Sequence, residues 1–361
     1  MKHIKYLGIA AAILLCGCNS TKLENMDSST DISTSPTSSS GIDTSSTSSS
    51  QTGSSQTTSS EDTYSSSSIE NEFTVSEKHS ISQTDSFDVS KDDTFFIVNG
   101  GELTVDGKLT SENGGKIIIE NGGVLILNND SQLDCDLTVK KGGKLIVGEN
   151  GKVSGSGSIT VENSFDEIEC SGSVTVKIIP PAPITENGVT TVGGVLIVNK
   201  KYSIPSDFGS ELITDDDAGT GLIRDEAYDA LCEMREASGY TMSIVSGFRS
   251  YRTQTVIYNR NVENYGEEEA NSWSAKPGES EHQTGYAIDI TSLDQSYGDT
   301  EEGRWLAENC HKFGFIIRFQ KEKEAITGYI YEPWHVRYLG KSTATLVYDS
   351  GLALEEFLGV N

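Results

Sequence analysis

The chain is short of positive charge, histidine, proline and long apolar runs, and each shortage excludes something. Of its 361 residues, 27 are Lys or Arg against 54 Asp or Glu, a formal net charge of -27. That balance argues against a nucleic-acid partner, whose phosphates demand basic patches. Only five histidines are present, so any imidazole-based site draws on a very small set. There are seven prolines, and three of them fall in one stretch, "IIPPAPITENG" (Ile178 to Gly188). Three prolines so close together do not fit a central strand or a helix interior and mark a boundary. No apolar run approaches the ~20 residues that span a membrane comfortably.

What is present begins with "MKHIKYLGIAAAILLCGCNS". Lys2 and Lys5 precede an apolar stretch from Tyr6 to Leu15, the pattern of an export signal. "LLCGC" resembles a bacterial lipobox, with Leu15 at minus three, Gly17 at minus one and Cys18 as acceptor. The resemblance implies a signal peptide over 1–17, a lipid on Cys18, and an extracytoplasmic protein anchored to the cell membrane and reaching into the wall. A plain secretory signal with incidental cysteines is the alternative. The remaining Cys135, Cys170, Cys232 and Cys310 permit disulfides in an exported chain, Cys135 with Cys170 and Cys232 with Cys310, or serve as small buried thiols.

Residues 18–70 are Ser/Thr-rich and read as a disordered tether. About 50 such residues span roughly 40 Å as a coil and roughly 170 Å when extended. From 71 to 178 the chain repeats. "GGELTV", "GGVLIL" and "GGKLIV" begin at Gly100, Gly122 and Gly142, and the pairs Ile117/Ile119, Leu137/Val139 and Ile159/Val161 fall between them. Each pair points two apolar side chains to one face of a short strand. Two short strands per unit of about 20 residues predict coils of a parallel β-solenoid, with an antiparallel sandwich as the alternative.

Residues 179–190 are expected as a Pro-rich linker and 191–361 as an α+β domain. Ala227, Leu231 and Met234 fall on one face of a helix beginning near Arg224. Thr300 is placed to cap a second helix that stops near Gly314. "TMSIVSGF", "YAIDI" and "FIIRF" read as strands without regular βα alternation.

The chemistry gathers in "SEHQTGYAIDI", residues 280 to 290. An aspartate inside an apolar strand is costly unless its charge is compensated. His282 and Asp289 are candidate metal ligands, and a catalytic zinc takes three protein ligands and keeps an open position. Ala287 shares the Asp289 face and leaves room beside it, while Tyr286 and Ile288 share the other face. His311 has no acidic partner in a motif. His335 lies in "YEPWHVRYLG", three residues after Glu332. A histidine ligand beside a glutamate suits metal-assisted hydrolysis, in which a carboxylate takes a proton and returns it. Glu279 and Glu281 read as a solvated acidic rim.

Together "SGFRSYRTQ", "SEHQTGYAIDI" and "EPWHVRY", with "GGVLIVNKKYSIPSDFG" upstream, resemble the VanY-type zinc D-alanyl-D-alanine carboxypeptidases of the Hedgehog-like DD-peptidase fold, over roughly residues 192–345. The resemblance implies Zn2+ held by His282, Asp289 and His335, with Glu332 as general base and then acid. It implies that Arg249 binds the substrate carboxylate or steadies the oxyanion. Ser280 and Gln254 match the motifs as hydrogen-bonding or loop-supporting groups near the substrate, and Tyr286 and Trp334 are candidates to line its cleft. The implied reaction is removal of a C-terminal D-alanine from a peptidoglycan stem peptide, D,D- or L,D-, by attack of a metal-bound water. Cross-link hydrolysis is a further possibility. The rival reading is a non-catalytic wall-binding or structural lipoprotein, against which the intact Glu332 and ligand set weigh.

Overall fold

A computed structural model describes residues 71–212 and 223–361. Cys18 and the expected export signal and tether lie outside the described residues. No helix of the described residues is long and apolar enough to cross a membrane.

The repeats build a parallel β-solenoid with three walls, sheets of six, five and five strands. Each strand pairs in parallel with its equivalent one coil away. Leu137 sits between Ile117 and Ile159, and Leu125 between Leu103 and Leu145. Like therefore stacks on like, and the inward residues Ile117, Leu125, Leu137, Leu145 and Ile159 are completely buried. No coil could bury these side chains alone, so stacking is what stabilises each one.

The sequence pattern predicted two strands per coil, and the structure has three. The third wall consists of Lys108–Ser111, Asp130–Gln132, Lys152–Ser154 and their neighbours. These strands turn few side chains inward, Leu109, Ser131 and Val153 among them, which is too little for apolar alternation to register. At the corners Gly122 adopts φ +77°, and a Cβ on Gly123 would sit 2.0 Å from the Ile97 carbonyl oxygen. Both positions therefore require glycine.

At its C-terminal end the solenoid is covered. The helix Lys341–Ser350 lies across its last coil. Cys170 N–H donates to Ser342 Oγ at 3.1 Å, and Val174 N–H donates to an Asp349 carboxylate oxygen at 2.7 Å. Phe165 packs on Phe357 with ring centroids 5.3 Å apart. One apolar cluster runs from the coils into Leu346, Val347, Leu354, Phe357 and Leu358. The C-terminal domain thus acts as the cap that a solenoid needs. Within 179–190, expected as linker, Ile184–Glu186 already pairs with Val189–Val192 in an antiparallel three-stranded sheet completed by Val195–Ile197.

The C-terminal domain is α+β. An antiparallel sheet runs in the order Ile244–Ser246, Ala287–Ile290, Glu332–Tyr338, Phe315–Phe319. The helix Asp225–Ser238 buries Ala227, Leu231 and Met234 and ends at Gly239 with φ +72°. Thr300 caps Glu301–Asn309 by accepting from Gly303 N–H, and a following 3-10 turn stops at Gly314. Among the described residues no disulfide joins Cys135 to Cys170 or Cys232 to Cys310. Cys135, Cys170 and Cys310 are buried thiols, the second of the two expected states.

Candidate metal centre

Three elements bring the candidate ligands together. His282 stands in a buried 3-10 turn, Glu281–Thr284, which stops at Gly285 with φ +74°. Asp289 lies on the strand Ala287–Ile290 directly opposite His335 on the neighbouring strand. All three side chains are buried, and their ligand atoms lie within 4.8 Å of one another.

The imidazoles are oriented from behind. His282 Nδ1 is 2.7 Å from the Gly247 carbonyl oxygen, which can only accept, so the ring donates there. Its Nε2 faces Asp289 Oδ2 at 3.2 Å. His335 Nδ1 faces Asp289 Oδ1 at 3.1 Å, while its Nε2 is buried without a hydrogen bond and points at Glu281 Oε2 at 3.7 Å. Two nitrogens and a carboxylate thus converge on one buried point, the His282 ring held by the Gly247 carbonyl behind it and the His335 ring backed by Glu281. That donor set and spacing fit zinc.

Glu332 sits 3.8 Å from His335 Nδ1. In a regular strand, residues three apart point to opposite faces. The pairing of Glu332–Tyr338 with Phe315–Phe319 is irregular between Ile317 and Phe319, and this brings Glu332 and His335 to one cavity. Arg249 places Nη2 3.7 Å from Asp289 Oδ2, donates to Ser246 Oγ at 2.9 Å, and donates through Nη1 to Gln254 Oε1 at 2.9 Å.

These surroundings set the charges. Burial pushes Glu332 up to about 7, with His335 and Arg249 pulling it down and Asp289 pushing it further up. Burial alone would lower His335, but the Asp289 hydrogen bond, Glu281 and the nearby carboxylate charges outweigh it and raise it to about 9. Burial holds His282 below its ordinary value. Asp289 is driven up by burial, yet the two histidines hold it well below the usual carboxylate range.

The ligands, Glu332 and Arg249 line a cavity of about 530 Å³. Ser280 and Trp334 line it too, where the motifs placed them. Gln254 is buried and bridges Arg249 to the Ala275 carbonyl at 2.6 Å, so it braces the arginine. Tyr286 requires correction: its hydroxyl donates to Glu226 at 2.7 Å, and it lines a separate cavity of about 210 Å³. Strand alternation turns it away from Asp289. His311 stacks on Tyr348 with centroids 3.7 Å apart, away from the metal centre.

Glu281 is the residue that sequence reasoning missed. Expected on a solvated rim, it is 3% exposed. Its Oε1 accepts from Arg318 at 2.8 Å and from Arg337 at 2.9 Å. Burial opposes the charge, but the two arginines hold the carboxyl far below its ordinary range. Arg318 also pairs with buried Glu355. Arg337 lies opposite Ala287, so the space left by that small side chain admits a guanidinium.

A buried His–Asp–His set with an adjacent high-pKa glutamate, built on the two central strands of a four-stranded antiparallel sheet, defines a metallohydrolase-type centre. Residues 222–341 match the D-alanyl-D-alanine carboxypeptidase family, VanY. The chain is 36% identical over 187 residues to a D-alanyl-D-alanine carboxypeptidase of Enterococcus faecalis, covering 49% of this chain and 70% of that protein. It is 44% identical over 178 residues to the putative carboxypeptidase YodJ of Bacillus subtilis, covering 45% of this chain and 65% of YodJ, just under two thirds of that relative. Among solved structures, it is similar to the LdcB LD-carboxypeptidase at 43% identity and a TM-score of 0.42, covering 45% of this chain and 84% of that one. A VanY D,D-pentapeptidase in complex with Zn(II) is 33% identical with a TM-score of 0.38, covering 45% and 97%. The chain belongs to the VanY family of D-alanyl-D-alanine carboxypeptidases.

Proposed function

We propose that this protein is a zinc-dependent carboxypeptidase that removes a C-terminal D-alanine from peptidoglycan stem peptides. The observation that carries the reading is the position of Glu332, 3.8 Å from a His282–Asp289–His335 cluster whose ligand atoms lie within 4.8 Å of one another.

Zinc held by His282, Asp289 and His335 would polarise the scissile carbonyl and make a water acidic enough to attack at neutral pH. The chain's own groups do the rest. Glu332 accepts a proton from the attacking water and delivers it to the nitrogen of the departing D-alanine, a task that suits a carboxyl near 7. Arg249, fixed by Ser246 and Gln254, offers its guanidinium to the terminal carboxylate or to the developing oxyanion. Glu281 lies behind the cluster, its Oε2 3.7 Å from His335 Nε2.

Cys18 carries the lipid in this reading, and residues 18–70 tether the enzyme to the outer face of the cell membrane within reach of the wall. The sequence of the first twenty residues supports this, and mass spectrometry of the mature N-terminus tests it.

The activity test uses the full chain, wild type beside Glu332→Ala, with tetrapeptide and pentapeptide stems and zinc quantified on the same samples. Loss of one alanine by the wild type only, with zinc in both proteins, is the expected result. Cleavage of the pentapeptide alone makes the enzyme a D,D-carboxypeptidase, and cleavage of the tetrapeptide makes it L,D. A zinc-loaded wild type that cleaves neither stem overturns the proposal.

A further inference from the structure

The stretch "GGVLIVNKKYSIPSDFG" supplies no metal ligand, yet it passes beside the cavity, which Val198 lines. Lys200 follows. As a residue it is exposed, but its ammonium is fully engaged. It donates to the Asn271 carbonyl at 2.6 Å and to the Gly328 carbonyl at 2.5 Å, and it lies over the Tyr329 ring at 4.5 Å. Asn271 and Gly328 close two short helices, Glu267–Ala270 and Glu324–Thr327. Carbonyls at helix C-termini lack intrahelical donors, and a lysine there satisfies them. Gly328 also leaves the room: a Cβ on it would sit 3.1 Å from Lys200 Cδ and 3.3 Å from Nζ.

The base of the lysine is fixed as well. Asn199 Oδ1 accepts from the N–H groups of Lys201 and Tyr202, each at 2.9 Å, and Asn199 Nδ2 donates to buried Glu355 at 3.0 Å. Just upstream, Val195 and Ile197 belong to the apolar cluster of the solenoid. The turn that carries Lys200 is thus held at both ends before its side chain reaches the cavity walls.

The two carbonyls belong to separate segments of that wall. Trp273, Ser274 and Ala275 follow Asn271, Tyr329 and Ile330 follow Gly328, and all five line the cavity. One backbone bond, from Ile330 N–H to the Ser272 carbonyl at 3.1 Å, joins the segments, and Lys200 adds two more. Each segment leads to the reacting centre. The Ala275 carbonyl accepts from Gln254 Nε2 at 2.6 Å, and Gln254 Oε1 accepts from Arg249 at 2.9 Å. Tyr329 packs on Phe319 with centroids 4.8 Å apart, and Phe319 packs on His335 with centroids 4.9 Å apart. Lys200 stands where the support of Arg249 meets the support of His335.

We propose that Lys200 is a positioning residue: its ammonium ties residues 271–275 to residues 328–330 and so holds Arg249, relative to the metal ligands, where the terminal carboxylate of the substrate binds. This deepens the carboxypeptidase reading and rests on it. The lysine touches neither substrate nor metal. It acts through the Asn271 carbonyl, the 271–275 segment and Gln254, and its loss frees the segment that braces Gln254.

The test compares the zinc-loaded full chain, on whichever stem it cleaves, with Lys200→Met, which keeps the length of the side chain and removes its donors, and with Lys200→Arg, which keeps donors and charge. Lys200→Met should raise KM about 10-fold, the scale of a misplaced binding group. Its kcat should change by less than about threefold, because the reacting groups are untouched, and its zinc content should not change. Lys200→Arg should stay within about threefold of wild type, since arginine also serves carbonyls at helix C-termini. Hydrogen exchange read by mass spectrometry should quicken in Lys200→Met over residues 271–275 and 328–330 and nowhere else in the domain. An unchanged KM, a loss confined to kcat, or exchange that quickens throughout the domain overturns the clamp and leaves the carboxypeptidase standing. A zinc-loaded wild type that cleaves no stem overturns both. Should Lys200→Met not fold, Lys200→Gln, which keeps one donor group, is read by the same criteria.

Discussion

Glu281 and His335 face each other across 3.7 Å, Oε2 to Nε2, on the side of the imidazole away from Asp289. One glutamate thereby links a candidate metal ligand to two buried arginines, Arg318 and Arg337. Glu281→Gln keeps the volume and removes the charge. Zinc affinity should fall about 10- to 100-fold, the usual cost of losing a group that orients a ligand histidine. Leaving Arg318 and Arg337 short of a counter-charge should also destabilise the fold by about 3–5 kcal/mol. Chelator competition and denaturant unfolding measure the two effects. Unchanged affinity would show that Glu281 serves the arginines alone.

Glu332→Gln removes the proton carrier and leaves the ligand set untouched. A loss of about 10²- to 10⁴-fold in kcat is expected, with stoichiometric zinc retained. A similar loss of zinc would instead make Glu332 a ligand, a result that metal analysis of the purified variant reads directly.

Metal binding should depend on pH with a definite sign. Without metal, His335 is raised to about 9, so below that pH zinc must displace a proton from it. Apparent affinity should fall about tenfold per pH unit as pH drops below about 9 and level off above it. Activity should fail in acid as zinc leaves. Metal content that stays constant down to about pH 4 contradicts this.

Acid should also attack the fold. Glu281 and Glu355 both titrate below their ordinary 4.5, burial opposing their charge and Arg318 chiefly restoring it. A depressed folded-state pKa contributes stability that is present above about 4.5 and is lost as pH falls below it. Metal-free protein, followed by circular dichroism, should therefore lose stability on acidification from about pH 4.5 downward. A flat stability over that window would mean the arginine pairs are already matched in the unfolded chain.

Phe357 tests the junction between the two halves. Phe357→Ala empties the contact with Phe165 and should cost about 3–5 kcal/mol. Residues 191–361 alone would expose Leu354, Phe357 and Leu358, and should be less stable and less soluble than residues 71–361. Denaturant midpoints compare the two lengths of chain, and equal midpoints would make the solenoid an independent appendage.

The sequence by itself pointed to the stacked coils and to the candidate ligand set. Leu, Ile and Val recur at fixed spacing, and stacking them is the way such short strands bury anything. His282, Asp289 and His335 were legible because so few histidines exist and each sits in a dense local motif, with Glu332 three residues from His335. Tertiary structure alone decided the rest. Glu281 pairs with arginines 37 and 56 residues away, and nothing in "SEHQ" tells a buried glutamate from an exposed one. Tyr286 sits within the motif, yet strand alternation sends it to the other side of the sheet. Glu279 and Tyr329 line one cavity although fifty residues of sequence separate them. The cap on the solenoid joins Cys170 to Ser342 and Val174 to Asp349 across the length of a domain. Local spacing fixes which side chains share a face, and only the packing of distant segments fixes which charges lose their water and must find each other.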